Sequence, residues 1–432
     1  MGTLIPLALI LWTCLIIWRA CDGFEIASEY LGRHLSDGVR GGTINAIGSS
    51  IPEFLTTLIA LLVLADEEGF AIGLGTTAGS ALFNGMIIPA VCILSVVGVF
   101  GVAGGLSGIS HVRVSRKVLL RDGLWLLLCE GALILVIAGD ELWWFQGALL
   151  ISLYVAYLTY MLQTMRSQAG SKPSDQDEDD VHSAASVRGL SWMAGLFFWI
   201  SGGPVMDLPR WFVGAHQRRQ MEEERWNAWP LLLASLAVLS AACYLLVLAC
   251  EWLGTGPTNL AHPSYQFFGM TMTGLGMPSL FVAVIFASMA TSVPDTVMSI
   301  RDARDGDYDD AVANALGSNV FDICFALGVP LLMYTVVHGP IELHPTVAME
   351  SAQLRVLLFF LTCAGLACFC FGRVEKDPAG LSSTVALGRV NACVLIALYG
   401  SFVLYIVGLV NSTSWAMSIS DGLRWMVQLL MN

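Results

Sequence analysis

The sequence predicts an all-α polytopic membrane protein, with ten transmembrane helices arranged as two inverted-topology five-helix repeats. Three observations lead there. Hydrophobic residues make up 56% of the 432-residue chain and charged residues only 13%, about half the charge of a soluble globular domain. Apolar stretches that can cross the hydrocarbon core, about 20 residues each, recur along the chain. A short polar pattern also occurs twice, once in each half, inside otherwise apolar segments.

In chain order the expected spans are roughly 3–20, 41–65, 70–100, 118–138, 142–165, 228–252, 275–299, 309–336, 353–372 and 389–411. The first lacks the basic start and the small-residue cleavage site of a signal peptide, so it reads as a span. Charge sets the orientation. Arg19, Arg33 and Arg40 fall between the first two spans, and Arg113, Arg116, Lys117 and Arg121 between the third and fourth. Arg166 to Arg225 occupy the long central loop, Arg301 and Arg304 follow the seventh span, and Arg373, Lys376 and Arg389 separate the last two. The alternate loops carry DEEG at 66–69, GDE at 139–141 and a stretch at 253–273 without Lys or Arg, with only Arg355 and Arg424 on that side. By the positive-inside rule both termini are extracytoplasmic and the central loop is cytoplasmic. The chain thus divides into a first repeat at 1–166, a cytoplasmic loop at 167–227 and a second repeat at 228–432.

Within that loop, SKPSDQDEDD at 171–180 has the composition of a solvated acidic linker. Next comes GLSWMAGLFFWISGG at 189–203, short for a span and rich in Trp and Phe, which suits an interfacial or re-entrant segment. The eleven cysteines show no metal-ligand spacing; Cys368 and Cys370 form a lone pair at the end of an apolar run, and all read as small apolar packers. Net charge is −13 with no basic patch, which excludes a nucleic-acid partner. No prosthetic group and no enzymatic constellation is expected.

The repeated pattern carries the chemistry. GSSIPEF at 48–54 is followed by GSALFN at 79–84; ATSVPDT at 290–296 is followed by GSNVFD at 317–322. Ser50 to Ser80 is 30 residues and Ser292 to Ser318 is 26, a near-match between halves. The two copies lie five spans apart, an odd number, so their helices cross in opposite directions, as inverted repeats require. A proline removes a helix hydrogen bond. Pro52 and Pro294 therefore open the backbone near Ser49 and Thr291, next to the carboxylates Glu53 and Asp295. Ser50, Ser292, Ser80 and Ser318 add hydroxyls, and Asn84 and Asp322 stand one turn past the latter two. Hard cations take oxygen ligands of these kinds, and carboxylates in apolar helices mark ion pathways. The pattern predicts a cation site at the bilayer midplane. Glu130, alone in the fourth span, reads either as structural or as part of a pathway, and Asn45 as a helix contact or part of the ion path.

On these residues the chain resembles the cation/calcium exchanger superfamily, and more closely its potassium-dependent sodium/calcium exchanger branch. The likeness includes CDGF at 21–24, SDGVRGGT at 36–43, GTTAGSALFN at 75–84, RD at 121–122, WW at 143–144, MATSVPD at 289–295 and GSNVFDICFALGVP at 317–330. Ala81, Asp295 and Asp322 look like that branch; potassium-independent animal relatives usually carry Asn at the last position. The resemblance implies calcium and sodium as transported ions, with potassium co-transport open. Glu53 and Asp295 would be shared calcium and sodium ligands, completed by Ser49, Ser50, Thr291 and Ser292. Ser80, Asn84, Ser318 and Asp322 would line adjacent monovalent sites. Four features depart from the branch: Ser49 and Ala290 where Gly is usual, Arg301 and Asp302 where apolar residues are usual, and the acidic turn RDGDYDD at 304–310. A potassium-independent or proton-coupled exchanger of the same fold is the alternative. A passive channel needs no counter-ion, and an intramembrane aspartyl protease needs no mirrored Glu53/Asn84 pair.

Overall fold

The computed structural model describes residues 2–33, 46–98, 109–169, 195, 198–256, 262–370, 372–376 and 383–431. Asn45, His182, the acidic stretch 171–180 and residues 189–194 of the expected interfacial segment lie outside the described residues.

Among the described residues, seven helices are long and apolar enough to cross a bilayer on their own, and a bent pair makes an eighth. In chain order the helices are α1 (Leu4–Leu31), α2 (Ala46–Ser49), α3 (Ile51–Val63), α4 (Asp66–Val97), α5 (Arg116–Val136) and α6 (Trp144–Ala169). After the short α7 (Leu208–Phe212) and α8 (Ala215–Glu222) come α9 (Trp229–Gly254), α10 (Ser279–Val282), α11 (Ser288–Thr291) and α12 (Val293–Asp305). The chain ends with α13 (Tyr308–Phe321), α14 (Gly328–His338), α15 (Pro345–Cys370), α16 (Arg389–Val410) and α17 (Ser414–Met431). A π-helical turn, Ala283–Ala287, joins α10 to α11, and another, Asp322–Ala326, joins α13 to α14. Two of the expected spans fall short of the length and apolarity test. One is the run through α2 and α3, broken at Ser50; the other is α5, which carries Arg116, Lys117, Arg121, Asp122 and Glu130.

Several expectations change. The chain is mostly helical but not all-α. Strand β1 (Val112–Ser115) pairs antiparallel with β7 (Ser383–Leu387), Val112 opposite Leu387, and β7 pairs with β6 (Arg373–Lys376). Two-stranded pairs join β2 (Glu141–Leu142) to β5 (Ile341–Glu342), and β3 (Tyr265–Phe267) to β4 (Met270–Met272). These strands lie at the helix ends, where loop backbone must satisfy its own polar groups. Helix α1 runs eleven residues past the expected end at 20, so Arg19, Asp22 and Glu25 lie within it. Arg355, expected at the extracytoplasmic start of the span at 353–372, is 3% exposed and lies ten residues past the start of α15. Helix α17 follows the last expected span and packs on α15 and α16; Gln353 on α15 donates to the Ser420 carbonyl at 2.9 Å.

Helix α4 occupies the centre and packs against α3, α10 to α13, α15 and α16. Glycine makes this possible: a Cβ on Gly79 would collide with the Val284 carbonyl and lie 2.7 Å from Ser288 Cβ, and one on Gly75 would lie 2.6 Å from the Leu280 carbonyl. This is the small-xxx-small approach that membrane helices use. Gly317 in the second copy meets only the Tyr157 hydroxyl, at 3.4 Å. Helices α1 and α9 pack on each other at the periphery, closed at one end by Tyr30, whose hydroxyl accepts from the Trp226 amide at 2.9 Å and whose ring meets the Trp226 ring edge-on.

Candidate functional site

Each copy of the repeated pattern breaks its helix at the serine before the apolar residue and proline. Ser50 has φ −96°, ψ 8° and Ser292 has φ −80°, ψ 4°, the sparsely allowed bridge region that active-site residues often adopt. Pro52 and Pro294 then sit in the first turn of α3 and α12, where a missing amide leaves no bond unmade. The second break bends the span by 45°. Glu53 and Asp295 thereby stand in the first turn of a new helix, where N–H groups point outward and negative charge is favoured.

The ten residues singled out from the sequence gather into one cluster, and all are buried: Ser49, Ser50, Glu53, Ser80, Asn84, Thr291, Ser292, Asp295, Ser318 and Asp322 are each 2% exposed or less. Ser80 on α4 is the hub. Its hydroxyl lies 3.3 Å from Glu53 Oε1, 2.8 Å from Ser292 Oγ and 2.8 Å from Asp322 Oδ2, and it accepts from Asn84 Nδ2 at 3.2 Å. Asn84 Nδ2 also donates to Asp295 Oδ2 at 3.0 Å, and the Ser292 hydroxyl lies 3.4 Å from Glu53 Oε1. Ser49 and Ser318 face Asp295, and Thr291 faces Glu53. Ser50 faces Asp322 but makes no well-formed hydrogen bond. The halves are interleaved, since the first-half Ser80 and Asn84 hold the second-half Asp322 and Asp295.

Donors are too few for these acceptors. A serine hydroxyl has one proton, so Ser80 can satisfy one of the oxygens around it at a time. Among the described residues, Glu53 Oε2, Asp295 Oδ1, Asp322 Oδ1, Asn84 Oδ1 and Ser50 Oγ are buried and lack a hydrogen-bond partner. Unpaired buried oxygens are costly, and three carboxylates without a buried cation between them are more so. Oxygens of this kind can coordinate hard cations. Among the described residues no three Asp, Glu, His or Cys side chains close on a single point as a resident metal site would; Ser80 and Asn84 separate the acids, so the arrangement offers a string of adjoining positions.

Other residues lie outside the cluster. Glu130 is 1% exposed and accepts from Thr362 Oγ1 at 2.7 Å, its second oxygen unpaired. Asn319, missed in the sequence, donates to the Ala81 carbonyl at 2.9 Å and ties α13 to α4 directly behind the site. Also missed is a cleft lined by Trp18, Asp22, Glu25, Ser49, Pro294 and Arg301. It reaches both helix breaks, and Arg301, a departure from the resembled branch, stands at it. CDGF contained the signal, but the sequence reading ended the first span before it.

The family model for sodium/calcium exchanger proteins matches residues 5–163 and 228–408. The chain is 24% identical over 411 residues to human sodium/potassium/calcium exchanger 5, covering 83% of this chain and 77% of that protein. It is 25% identical over 462 residues to mouse sodium/potassium/calcium exchanger 4, covering 77% and 71%. In fold it is similar to the crystal structure of the H+/Ca2+ exchanger CAX, with a TM-score of 0.56 at 12% identity, over 100% of this chain and 86% of that one. With its apolar helices and a family match over most of its length, this is an integral membrane protein that belongs to the sodium/calcium exchanger family.

Proposed function

We propose that this protein is a secondary-active antiporter that exchanges calcium for sodium, with potassium co-transport, by alternating access at the Glu53–Asp295–Asp322 cluster. The observation that carries the reading is the set of buried carboxyl oxygens without protein partners. Charge arithmetic supports the potassium part. Three ionised carboxylates are balanced by one divalent and one monovalent cation, whereas two would be balanced by calcium alone. The names of the relatives, sodium/potassium/calcium exchangers 4 and 5, agree with this. Glu53 and Asp295 hold calcium or sodium with Ser49, Ser50, Thr291 and Ser292; Ser80, Asn84, Ser318 and Asp322 line the monovalent positions. Calcium and sodium compete for the same oxygens. A cluster without cations would carry its charge across a low-dielectric barrier at a cost of several kcal/mol, which couples the two fluxes.

In this reading the run α2–α3 and helix α5 also span, giving ten crossings in two inverted sets of five. Matched backbone at Ser50 and Ser292 supports the repeat. The central loop is cytoplasmic and both ends of the ten-span unit are extracytoplasmic. The peripheral pair α1 and α9 slides against the core that holds the cluster. The test is calcium uptake into sodium-loaded proteoliposomes, with and without external potassium. The expected outcome is uptake that requires the sodium gradient and rises with potassium. Uptake indifferent to potassium removes Asp322 from a potassium role, and uptake driven by a pH gradient but not by sodium selects the proton-coupled alternative.

A further inference from the structure

Arg355 demands an explanation that transport does not supply. It is the eleventh residue of α15, inside a membrane-spanning helix, and is 3% exposed. An arginine inside a span ordinarily faces a carboxylate or a water-filled cavity. Among the described residues no carboxylate lies within ion-pair distance of it. Its guanidinium has five donors. Nε donates to the Ser351 carbonyl at 3.0 Å and Nη1 to the Leu133 carbonyl at 3.4 Å. Both acceptors are neutral, so the positive charge is uncompensated. The acid nearest along α5, Glu130, is bonded to Thr362 instead, and Asp421 on α17 is exposed.

The guanidinium lines a groove of about 410 Å³ between the end of α5, the first half of α15 and α17. Ile134, Leu135, Ala138, Val356 and Val427 form its apolar walls, and among the described residues Arg355 is the one charged group on it. The volume is in the range of small-molecule sites. One buried cation in an otherwise apolar groove selects an amphiphile with an anionic head. In a bilayer that chemistry is supplied by phospholipid, and guanidinium pairs with phosphate by two parallel hydrogen bonds.

We propose that this groove binds one anionic phospholipid, its phosphate against Arg355 and an acyl chain along Val356 and Val427. The lipid completes the charge balance of the α5–α15 seam and holds α17 to it. The site is independent of which ions the protein carries.

The test is native mass spectrometry of the full-length protein in mild detergent, titrated with dioleoylphosphatidylglycerol or dioleoylphosphatidylcholine. Wild type should retain one phosphatidylglycerol and bind phosphatidylcholine about tenfold more weakly, or ~1.4 kcal/mol. R355Q should lose that preference. L135W keeps the charge and enlarges a groove wall that is 71% exposed, so it fills the groove without repacking the core, and should lose phosphatidylglycerol retention while still folding. It carries the test should R355Q fail to fold. Equal retention of the two lipids by wild type overturns the proposal, as does undiminished phosphatidylglycerol binding by L135W, or a dimer mass in place of the lipid adduct.

Discussion

Glu53 and Asp322 make different demands on the same hydroxyl. Both approach Ser80, at 3.3 and 2.8 Å, and Ser80 has one proton to give. Glu53→Gln keeps the shape of the side chain and removes one charge from the cluster. Calcium affinity in exchange assays should fall about tenfold to a hundredfold, ~1.4–2.8 kcal/mol; unchanged affinity would sink the shared-site model. Asp322→Asn leaves two carboxylates, enough to balance calcium alone. Sodium-driven calcium uptake should persist and lose its response to potassium, measured as uptake rate against external potassium. At this scale the sequence was highly legible. Two recurrent motifs specified ten buried residues because polar side chains in an apolar segment have few reasons to be there. Asn319 and Arg355 were hidden for opposite reasons. Asn319 bonds backbone, which no motif announces, and Arg355 resembled an ordinary charge flanking a span.

Helices were legible where composition was uniform and obscure where it was not. The expected first span stopped at residue 20, yet α1 continues because its inner face stays apolar through Phe24, Ala27 and Tyr30, all buried. Helix α17 was missed because Ser, Asp and Arg interrupt its apolar residues; only one face of it packs on α15 and α16. The sequence pattern implies that Pro52 opens the helix by removing a hydrogen bond. In fact the new helix starts before Pro52, which costs no hydrogen bond. The close crossing at Gly79 carries a prediction. A valine there would meet the Val284 carbonyl and Ser288, and helix backbone in a crossing cannot yield as a flexible side chain can. Gly79→Val should destabilise by ~1–3 kcal/mol and shift Ser80 away from its partners. A lowered melting temperature in detergent together with lost exchange is the expected result. Gly317→Ala, whose Cβ would meet the Tyr157 hydroxyl at 3.4 Å, close to ordinary van der Waals contact, should be far milder in both assays.

At the scale of the whole molecule, function depends on two halves that cannot be drawn apart. First-half side chains hold second-half acids. Gly147 on α6 lies so close to α14 that a Cβ there would come within 2.6 Å of the Gly328 carbonyl, and the Glu67 carboxylate accepts from the His344 amide at 2.6 Å. The acidic turn noted in the sequence works the same way: Asp309 accepts from the Ser115 amide at 2.6 Å, joining the start of α13 to β1. Sequence reading saw two repeats side by side but not their interleaving, because spacing along a chain says nothing about which helices cross. If α1 and α9 slide as a pair, a cysteine cross-link between them, at Gly23→Cys and Ser235→Cys, should leave exchange intact. A Cβ on Gly23 would lie only 2.5 Å from Ser235 Oγ, so the two positions are in direct contact and a bridge forms once the helices part slightly. Lost exchange on oxidation, restored by reductant, would show that the two helices move against each other instead.

The pairing of Val112 with Leu387 also constrains how the protein is made. Strand β1 leaves the ribosome long before β7 exists, so its amides and carbonyls wait, unpaired, until the last hairpin emerges. The first half therefore remains an unfinished fold until synthesis is nearly over. Two polypeptides divided within 170–194 should each be degraded when produced singly and should accumulate as a complex when produced together, which pull-down of one half by a tag on the other would reveal.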